Sequence, residues 1–259
     1  MLQFCVLGSG SGGNATLVRK GETVIMIDAG FSATRLREKI RAAGVELEAL
    51  AAILVTHEHA DHIKGIHQFI KKNPVRVYTS PHTSVLVKEK APDVLCTIFE
   101  CGSTFNIGGI EITPLRTSHD AAEAVCFRLN SELSCFGYMT DTGMTPPHVE
   151  NHFRELDSVV IESNYDPDLL AATTKRPWPL KARIASEFGH LSNEQACEFL
   201  EKIAHRNLKN VVLAHLSSES NTPELATRFM RAKLDELSLT GTSLYCASQN
   251  ESLPWISVR

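Results

Sequence analysis

The sequence lacks any apolar run that could cross a membrane and any segment typical of an export signal. None of its uninterrupted apolar stretches approaches the roughly 18 residues that a membrane-spanning helix needs. The N-terminal stretch MLQFCVLGSG has neither a basic start nor a long apolar core. We therefore expect a cytoplasmic protein that is not exported and has no membrane partner.

Cysteine pairs of the kind that build disulfide frameworks or zinc knots are also missing. The seven cysteines are odd in number, and no two of them form a C-x-x-C pair. Neither a disulfide framework nor a zinc site made of thiolates is indicated. A reducing compartment suits this usage, which again favours the cytoplasm.

The chain has no excess of positive charge. Its formal net charge of −4 at pH 7 argues against a broad basic face for nucleic acid. A nucleic-acid substrate stays compatible with this charge, because divalent metals would make the field of a local site positive. The glycine-rich residues 8–14 are not a phosphate-binding loop of the G-x-x-x-x-G-K-[ST] kind, since no Lys-Ser/Thr pair follows. They fit either a tight hairpin or a loop at the edge of a substrate site.

Length and composition predict one large folded domain. The 259 residues are 43% apolar and 22% charged, which is ordinary for a globular protein with a substantial core. No stretch has the composition of a linker, so we expect a single domain over residues 1–259. Helical and strand patterns alternate along the chain, which indicates an α/β or α+β fold.

Residues 51–62, AAILVTHEHADH, combine a buried strand with a dense group of potential metal ligands. The apolar run at 50–55 has the length and character of a strand that is covered on both faces. His57, His59 and Asp61 alternate, so in an extended backbone their side chains point to one side. His62 follows, where residues 63–70 take up a helical pattern. Three imidazoles and a carboxylate therefore meet at the end of one strand.

Three more candidate ligands follow other predicted strands: His119, Asp141 and His215. Together these residues could hold two metal ions. We assign the ligands as follows: His57, His59 and His119 on one ion, Asp61, His62 and His215 on the other, and Asp141 between them. A ligand set of nitrogen and oxygen alone suits Zn(II), Mn(II) or Fe(II) and does not distinguish among them.

These motifs resemble those of the metallo-β-lactamase-fold hydrolases, over nearly the full length of the chain. H-x-H-x-D-H at 57–62 is followed by His119, Asp141 and His215 in the order that this family shows. The resemblance implies a four-layer αββα sandwich with a dinuclear site along the edge where the two sheets meet, bridged by Asp141. It also implies hydrolysis, because the related flavodiiron redox proteins carry Glu where His59 stands.

A second resemblance narrows the branch of the family. Residues 188–193, FGHLSN, with His215 after the next strand, are similar to the paired histidine motifs of ribonuclease J-like nucleases. This implies that His190 contacts the scissile phosphate. The chain has no room for the large inserted domain of those enzymes, and it looks closest to the compact YycJ/WalJ type of bacterial DNA exonuclease.

The candidate substrate contacts come from the segments that carry this resemblance. They are Ser9, Ser11, Asn14, Trp178, Lys181, Arg183, His190, Ser192 and Asn193. From the residues alone, PWPLKAR at 177–183 is equally well a packed segment flanked by solvated charges. Ser192 or Asn193 could also serve as the N-cap of a helix predicted at 194–204.

The leading hypothesis is a metal-dependent hydrolase that cleaves phosphodiester bonds of DNA or RNA as an exonuclease. The attacking group would be a hydroxide shared between the two metals, oriented by Asp61. His190 would hydrogen-bond the phosphate or protonate the leaving oxygen. The alternatives are a phosphodiesterase for small molecules or cyclic nucleotides, a thioester hydrolase of the glyoxalase II type, and a metal-binding regulator without catalysis. The metal, the polarity of cleavage and the oligomeric state are left open.

Overall fold

Two seven-stranded β-sheets lie face to face in the computed structural model, which describes residues 1–259. The strands of the first sheet, in spatial order, are β14 (Ile256–Ser257), β1 (Gln3–Gly8), β2 (Ala15–Lys20), β3 (Thr23–Ile27), β4 (Leu50–Leu54), β5 (Arg76–Thr79) and β6 (Cys96–Ile98). Neighbouring strands are antiparallel from β14 to β3 and parallel from β3 to β6.

The second sheet also has a parallel half and an antiparallel half. Its strands, in spatial order, are β13 (Ser243–Cys246), β12 (Asn210–Ala214), β11 (Ser158–Glu162), β10 (Ser134–Met139), β9 (Val125–Ser131), β8 (Ile110–Arg116) and β7 (Phe105–Ile107). Pairing is parallel from β13 to β10 and antiparallel from β10 to β7.

Helices follow or connect the strands of both sheets. They are α1 (Ala33–Ala42), α2 (Ala60–Ile63), α3 (Ile66–Ile70), α4 (Pro81–Lys90), α5 (Pro147–Phe153), α6 (Pro167–Ala172), α7 (Trp178–Ile184), α8 (Asn193–Ile203) and α9 (Pro223–Glu236). None of them has the length and apolar character that a membrane crossing requires.

Three large apolar clusters separate the layers of the fold. The central cluster lies between the sheets, where Phe4 of β1 stacks on Phe136 of β10 with ring centroids 4.5 Å apart. A second cluster packs the first sheet against α1 and α3, and a third packs the second sheet against α5, α8 and α9. This order of layers confirms the αββα sandwich that the resemblance implied.

The pattern of residues 63–70 predicted one helical segment, but the chain bends between α2 and α3. A Cβ atom on Gly65 would lie 2.2 Å from the backbone oxygen of Phe31, so only glycine permits this approach. The Gly65 N–H donates to the backbone oxygen of Ala29 at 2.8 Å. The bend therefore allows the H-x-H-x-D-H motif to pack against the segment that follows β3.

The parallel halves of the two sheets end at one edge of the sandwich, and polar side chains stand at these ends. Asp28 follows β3, Asp141 follows β10 and His215 follows β12. Their φ angles are 60°, 57° and 53°, a left-handed conformation that is uncommon for residues other than glycine. Each strand thus turns sharply as it reaches this edge, and candidate ligands from distant parts of the chain come together there.

Candidate metal centre

The seven predicted metal ligands meet at this edge in overlapping groups, two of which correspond to the predicted ligand sets. A further group joins Asp141 and His215 to Glu162 and His190. In the first group, the potential ligand atoms of His57, His59 and His119 all lie within 4.8 Å of one another. Nε2 of His119 is 3.3 Å from Nδ1 of His59. This group matches the ligand set predicted for the first metal, although the role of these residues as ligands stays a prediction.

The second group consists of Asp61, His62 and His215, whose potential ligand atoms also lie within 4.8 Å of one another. Oδ2 of Asp61 is 3.3 Å from Nε2 of His215 and 3.5 Å from Nε2 of His62. Asp141 lies between the groups, with Oδ2 3.2 Å from Nε2 of His62 and Oδ1 3.9 Å from Nε2 of His119. Asp141 therefore lies near residues of both groups, and its role as a bridging carboxylate stays a prediction.

Asp28 is a fully buried carboxylate that orients two of the histidines. Its Oδ2 accepts a hydrogen bond from Nδ1 of His62 at 2.7 Å. Its oxygens also accept from the Thr56 hydroxyl at 3.0 and 2.9 Å, and that hydroxyl lies 3.0 Å from Nδ1 of His57. In both rings Nδ1 thus bonds to Asp28 or to Thr56, and Nε2 points toward the cluster. Metal-binding histidines commonly have this arrangement.

The donor set fits a divalent cation. Nε2 of His57 is buried and has no hydrogen-bond partner. Because Nδ1 of His62 donates to Asp28, its Nε2 presents a lone pair toward Asp141 Oδ2, so a proton or a cation is needed between these atoms. Imidazole nitrogens and carboxylate oxygens are ligands that Zn(II), Mn(II) and Fe(II) accept.

Glu162 at the end of β11 is a second buried carboxylate that holds histidines in place. Its Oε1 accepts from Nδ1 of His190 at 2.7 Å and from Nδ1 of His215 at 3.1 Å. Its Oε2 accepts from the backbone N–H groups of Thr142 and Leu191 at 3.0 and 3.1 Å. Burial opposes its ionisation, but His190 and His215 together outweigh burial and lower the pKa of Glu162 to about 2.

Charges in the cluster are strongly coupled. Burial opposes the ionisation of Asp61, yet the neighbouring His215 and His62 imidazoles outweigh it and hold the pKa of Asp61 well below its usual value. Burial also opposes a charge on His215, but Asp141, Asp61 and Glu162 raise the pKa of this imidazole to about 10. The carboxylates therefore attract positive charge into the centre, which is the requirement for holding cations.

The glycine-rich loop at residues 8–14 joins β1 to β2 as a hairpin and also borders the site. Ser11 is exposed and lines the pocket over the cluster. Ser9 is buried, donates to Asn14 Oδ1 at 2.9 Å and accepts from the His215 N–H at 2.9 Å. Asn14 is also buried, with Nδ2 3.1 Å from Nε2 of His62. Ser9 and Asn14 thus join the ligand loops to each other, and a direct contact of either with substrate stays a prediction.

Ser192 is the N-cap of α8 and Asn193 is its first residue, two and three positions after His190. The Ser192 hydroxyl accepts from the Gln195 N–H at 3.2 Å, and the Gln195 side chain accepts from the Ser192 N–H at 2.8 Å, which completes a capping box. Asn193 is buried, and Ser163 donates to its Oδ1 at 2.6 Å. Both side chains are engaged in positioning the loop that carries His190.

The segment at 177–183 is mostly the short helix α7, which forms one side of the pocket. Arg183 lines the pocket and pairs with Asp120. Lys181 instead donates to the backbone oxygen of Ala171 at 2.6 Å, and Trp178 is 77% exposed without lining the pocket. Of these three predicted contacts, only Arg183 faces the cluster.

The pocket has a volume of about 180 Å³ and is walled mainly by polar side chains. His190, with 19% of its side chain exposed, lines it next to the cluster, and its ring centroid is 5.2 Å from those of His119 and His215. Sequence reasoning had not singled out Arg176 and Asp120 in the same wall, nor Asp28 and Glu162 beneath it. Asp28 and Glu162 each end an apolar strand, as the predicted ligands do, and this signal could have identified them.

Known proteins resemble this chain in sequence and in fold. A family model described as "Beta-lactamase superfamily domain" matches residues 23–216. The exodeoxyribonuclease YycJ of Bacillus anthracis is 33% identical over 238 residues, which covers 91% of this chain and 90% of that protein. The exodeoxyribonuclease WalJ of Streptococcus pneumoniae is 32% identical over 242 residues, which covers 92% of this chain and 90% of that protein.

A solved structure has the same architecture at lower sequence identity. The metallo-β-lactamase fold protein YhfI from Bacillus subtilis superposes with a TM-score of 0.74 and 16% identity, covering 98% of this chain and 99% of that chain. At this identity the likeness establishes the fold alone.

Proposed function

Because the chain belongs to the beta-lactamase superfamily and is a metal-dependent hydrolase, we propose that it cleaves phosphodiester bonds in DNA as an exonuclease. YycJ of Bacillus anthracis and WalJ of Streptococcus pneumoniae, which each align with about nine tenths of the chain, are exodeoxyribonucleases. The site supports the proposal independently, since it joins a cation-binding cluster to a histidine outside both predicted ligand sets. We infer that this histidine, His190, contacts the substrate.

The observation that carries the proposal is the fixed orientation of His190. Its Nδ1 is bound to Glu162 at 2.7 Å, so only Nε2 is free for a ligand in the pocket. A histidine held in this way can donate a hydrogen bond to a phosphate oxygen or protonate a leaving alkoxide. Thioester hydrolysis would give such a residue no evident task.

The two ligand groups, with Asp141, would hold divalent ions. When bound, such ions would activate water as a nucleophile and neutralise the charge that develops on phosphoryl oxygens. Asp61, ionised and half-buried at the pocket floor, can accept a hydrogen bond from the attacking water and fix its direction. His190, opposite the His119 and His215 rings, can bind the phosphate that is attacked.

The test is incubation of the zinc- or manganese-loaded protein with end-labelled DNA, end-labelled RNA, a cyclic nucleotide, bis(p-nitrophenyl) phosphate and a glutathione thioester. We expect stepwise release of nucleotides from DNA, with slower turnover of the small diester. Turnover of the cyclic nucleotide without cleavage of DNA would replace the proposal by a small-molecule phosphodiesterase. Hydrolysis of the thioester alone, or no metal-dependent activity on any of these compounds, would reject it.

Substitutions separate the role of His190 from metal binding. His190→Ala should lower kcat on DNA by roughly 10²–10⁴-fold, the usual contribution of a general acid or base, and should keep the metal content. His215→Ala should lose metal, measured by elemental analysis. His152→Ala, an exposed histidine on α5 outside the pocket, is the matched control and should keep both. Full activity in His190→Ala would contradict the assigned role.

A further inference from the structure

Two arginines line the pocket that holds the candidate ligands, and they are its only permanently charged cations. Arg176 lies in the loop before α7 and Arg183 lies near the end of that helix. Each is tied to a different loop of the site. The pocket therefore has one guanidinium group on the side of the first ligand group and one on the side of the second, and each is held by an ion pair.

Arg183 is associated with the first ligand group. Its Nε donates to Oδ2 of Asp120, the residue after His119, and 58% of its side chain is exposed. The other oxygen of Asp120 lies 3.4 Å from Nε2 of His119. The Asp120 N–H donates to the backbone oxygen of Phe188 at 3.0 Å, which connects this loop to the one that carries His190.

Arg176 is associated with the second ligand group. Its Nε donates to Oε2 of Glu219 at 2.8 Å, and its Nη2 to the Ser217 hydroxyl at 3.4 Å. Ser217 and Glu219 lie in the loop that begins at His215. Only 20% of the Arg176 side chain is exposed, so its guanidinium group is held within the pocket wall.

In both pairs the carboxylate binds the Nε edge of the guanidinium group. A guanidinium group carries five N–H donors in a planar fork and binds phosphate with two of them at once. A carboxylate on the Nε side fixes the plane of the group and leaves terminal N–H donors for another anion. These ion pairs contribute little to folding, because solvent screens partly exposed charges.

We propose, on the basis of the proposed function, that Arg183 and Arg176 bind the phosphates on the two sides of the scissile phosphate, one within the strand and the other the terminal phosphate of the nucleotide that is released. The pocket then selects a nucleic-acid strand with consecutive phosphates over an isolated diester. Asp120 and Glu219 orient the two guanidinium groups before the substrate binds. The strand runs across the cluster from the His119 loop to the His215 loop.

The experiment compares two substrates in the metal-loaded protein: an end-labelled DNA oligonucleotide and bis(p-nitrophenyl) phosphate, which has no flanking phosphates. For Arg176→Gln and Arg183→Gln we expect the ratio of kcat/KM on the oligonucleotide to kcat/KM on the small diester to fall about tenfold, mainly through KM. The slope of log(kcat/KM) against log[salt] on the oligonucleotide should become shallower by about 1 for each variant, since one phosphate contact is lost.

Two further variants keep the result interpretable. Arg206→Gln removes an exposed arginine that lies between α8 and β12 and does not line the pocket, and it should leave the ratio and the slope at their wild-type values. Arg183→Lys keeps the charge but loses the fork, so we expect it to keep the salt slope and to recover only part of the ratio.

The outcomes distinguish this inference from the proposed function. If the wild type degrades DNA but both glutamine variants lose the two substrates in parallel, or keep the wild-type salt slope, the arginines bind no flanking phosphate and the nuclease assignment stands. If the wild type cleaves neither substrate, the proposed function fails and the inference fails with it.

Discussion

At the scale of single residues, buried carboxylates that are not predicted ligands set the orientation and the tautomer of the histidine side chains. Asp28 receives the Nδ1 proton of His62, and through the Thr56 hydroxyl it orients His57. Glu162 does the same for His190 and His215. In each case the partner of Nδ1 leaves Nε2 available, so the tautomer of the imidazole is set by a residue that need not touch the metal or the substrate.

Asp28→Asn tests this role. The amide accepts a hydrogen bond less strongly than a carboxylate and can turn its NH₂ group toward His62, so Nε2 would be less well prepared as a ligand. We expect metal affinity to fall roughly 10–100-fold, the usual effect of losing such a partner, in a competition titration with a chelator. Asp157→Asn is the control, because Asp157 accepts from the Cys135 N–H away from the cluster. Equal affinities in the two variants would contradict the role assigned to Asp28.

At the scale of elements, strand ends and helix starts bring the site loops together. The loop after β10 lies against the loop that carries His190, and a Cβ atom on Gly143 would lie 2.2 Å from the backbone oxygen of Ser186. α8 begins at Asn193, three residues after His190, with a capping box built by Ser192 and Gln195. The position of His190 therefore depends on where α8 begins as well as on Glu162.

Ser192→Ala separates a capping role from a substrate contact. Loss of the cap should lower the free energy of unfolding by about 1 kcal/mol, measured by urea denaturation. Thr222→Ala is the matched control, because Thr222 caps α9 through the Leu225 N–H and lies outside the pocket. A rise in KM for DNA in Ser192→Ala alone would show that the hydroxyl also contacts substrate. No loss of stability in Ser192→Ala would contradict the capping role.

At the scale of the whole molecule, the predicted ligands come from both sheets. His57, His59, Asp61 and His62 follow β4 of the first sheet, whereas Asp141 and His215 follow β10 and β12 of the second. Cations bound there would link the two halves of the sandwich across their shared edge. We therefore propose that residues 1–259 unfold as one domain. Metal binding should contribute directly to the stability of this domain.

Metal removal tests this linkage. We expect a chelator to lower the unfolding midpoint and re-addition of zinc or manganese to restore it, since metal at 100 times its Kd adds about 2.7 kcal/mol per site. Far-ultraviolet circular dichroism and Trp255 fluorescence should report coincident transitions, with Trp178→Phe removing the exposed second tryptophan as a background control. Separate transitions in the two signals would argue against a single domain, and an unchanged midpoint after chelation would argue against linkage through the metal.

The sequence by itself determined the residues of the two ligand groups, the apolar strands that precede most of them and, through the family resemblance, the αββα sandwich. These features are local: a strand shows in its run of apolar residues, and H-x-H-x-D-H shows in its spacing. Only the tertiary structure decided which side chains surround the ligands, including Asp28 beneath His62, Glu162 beneath His190 and the arginines in the pocket wall. Asp28 and His62 are 34 positions apart, and Glu162 and His215 are 53 apart, so no periodicity or spacing connects them. Such pairs form because two sheets pack with their parallel strand ends at one edge, and this packing depends on the apolar core as a whole.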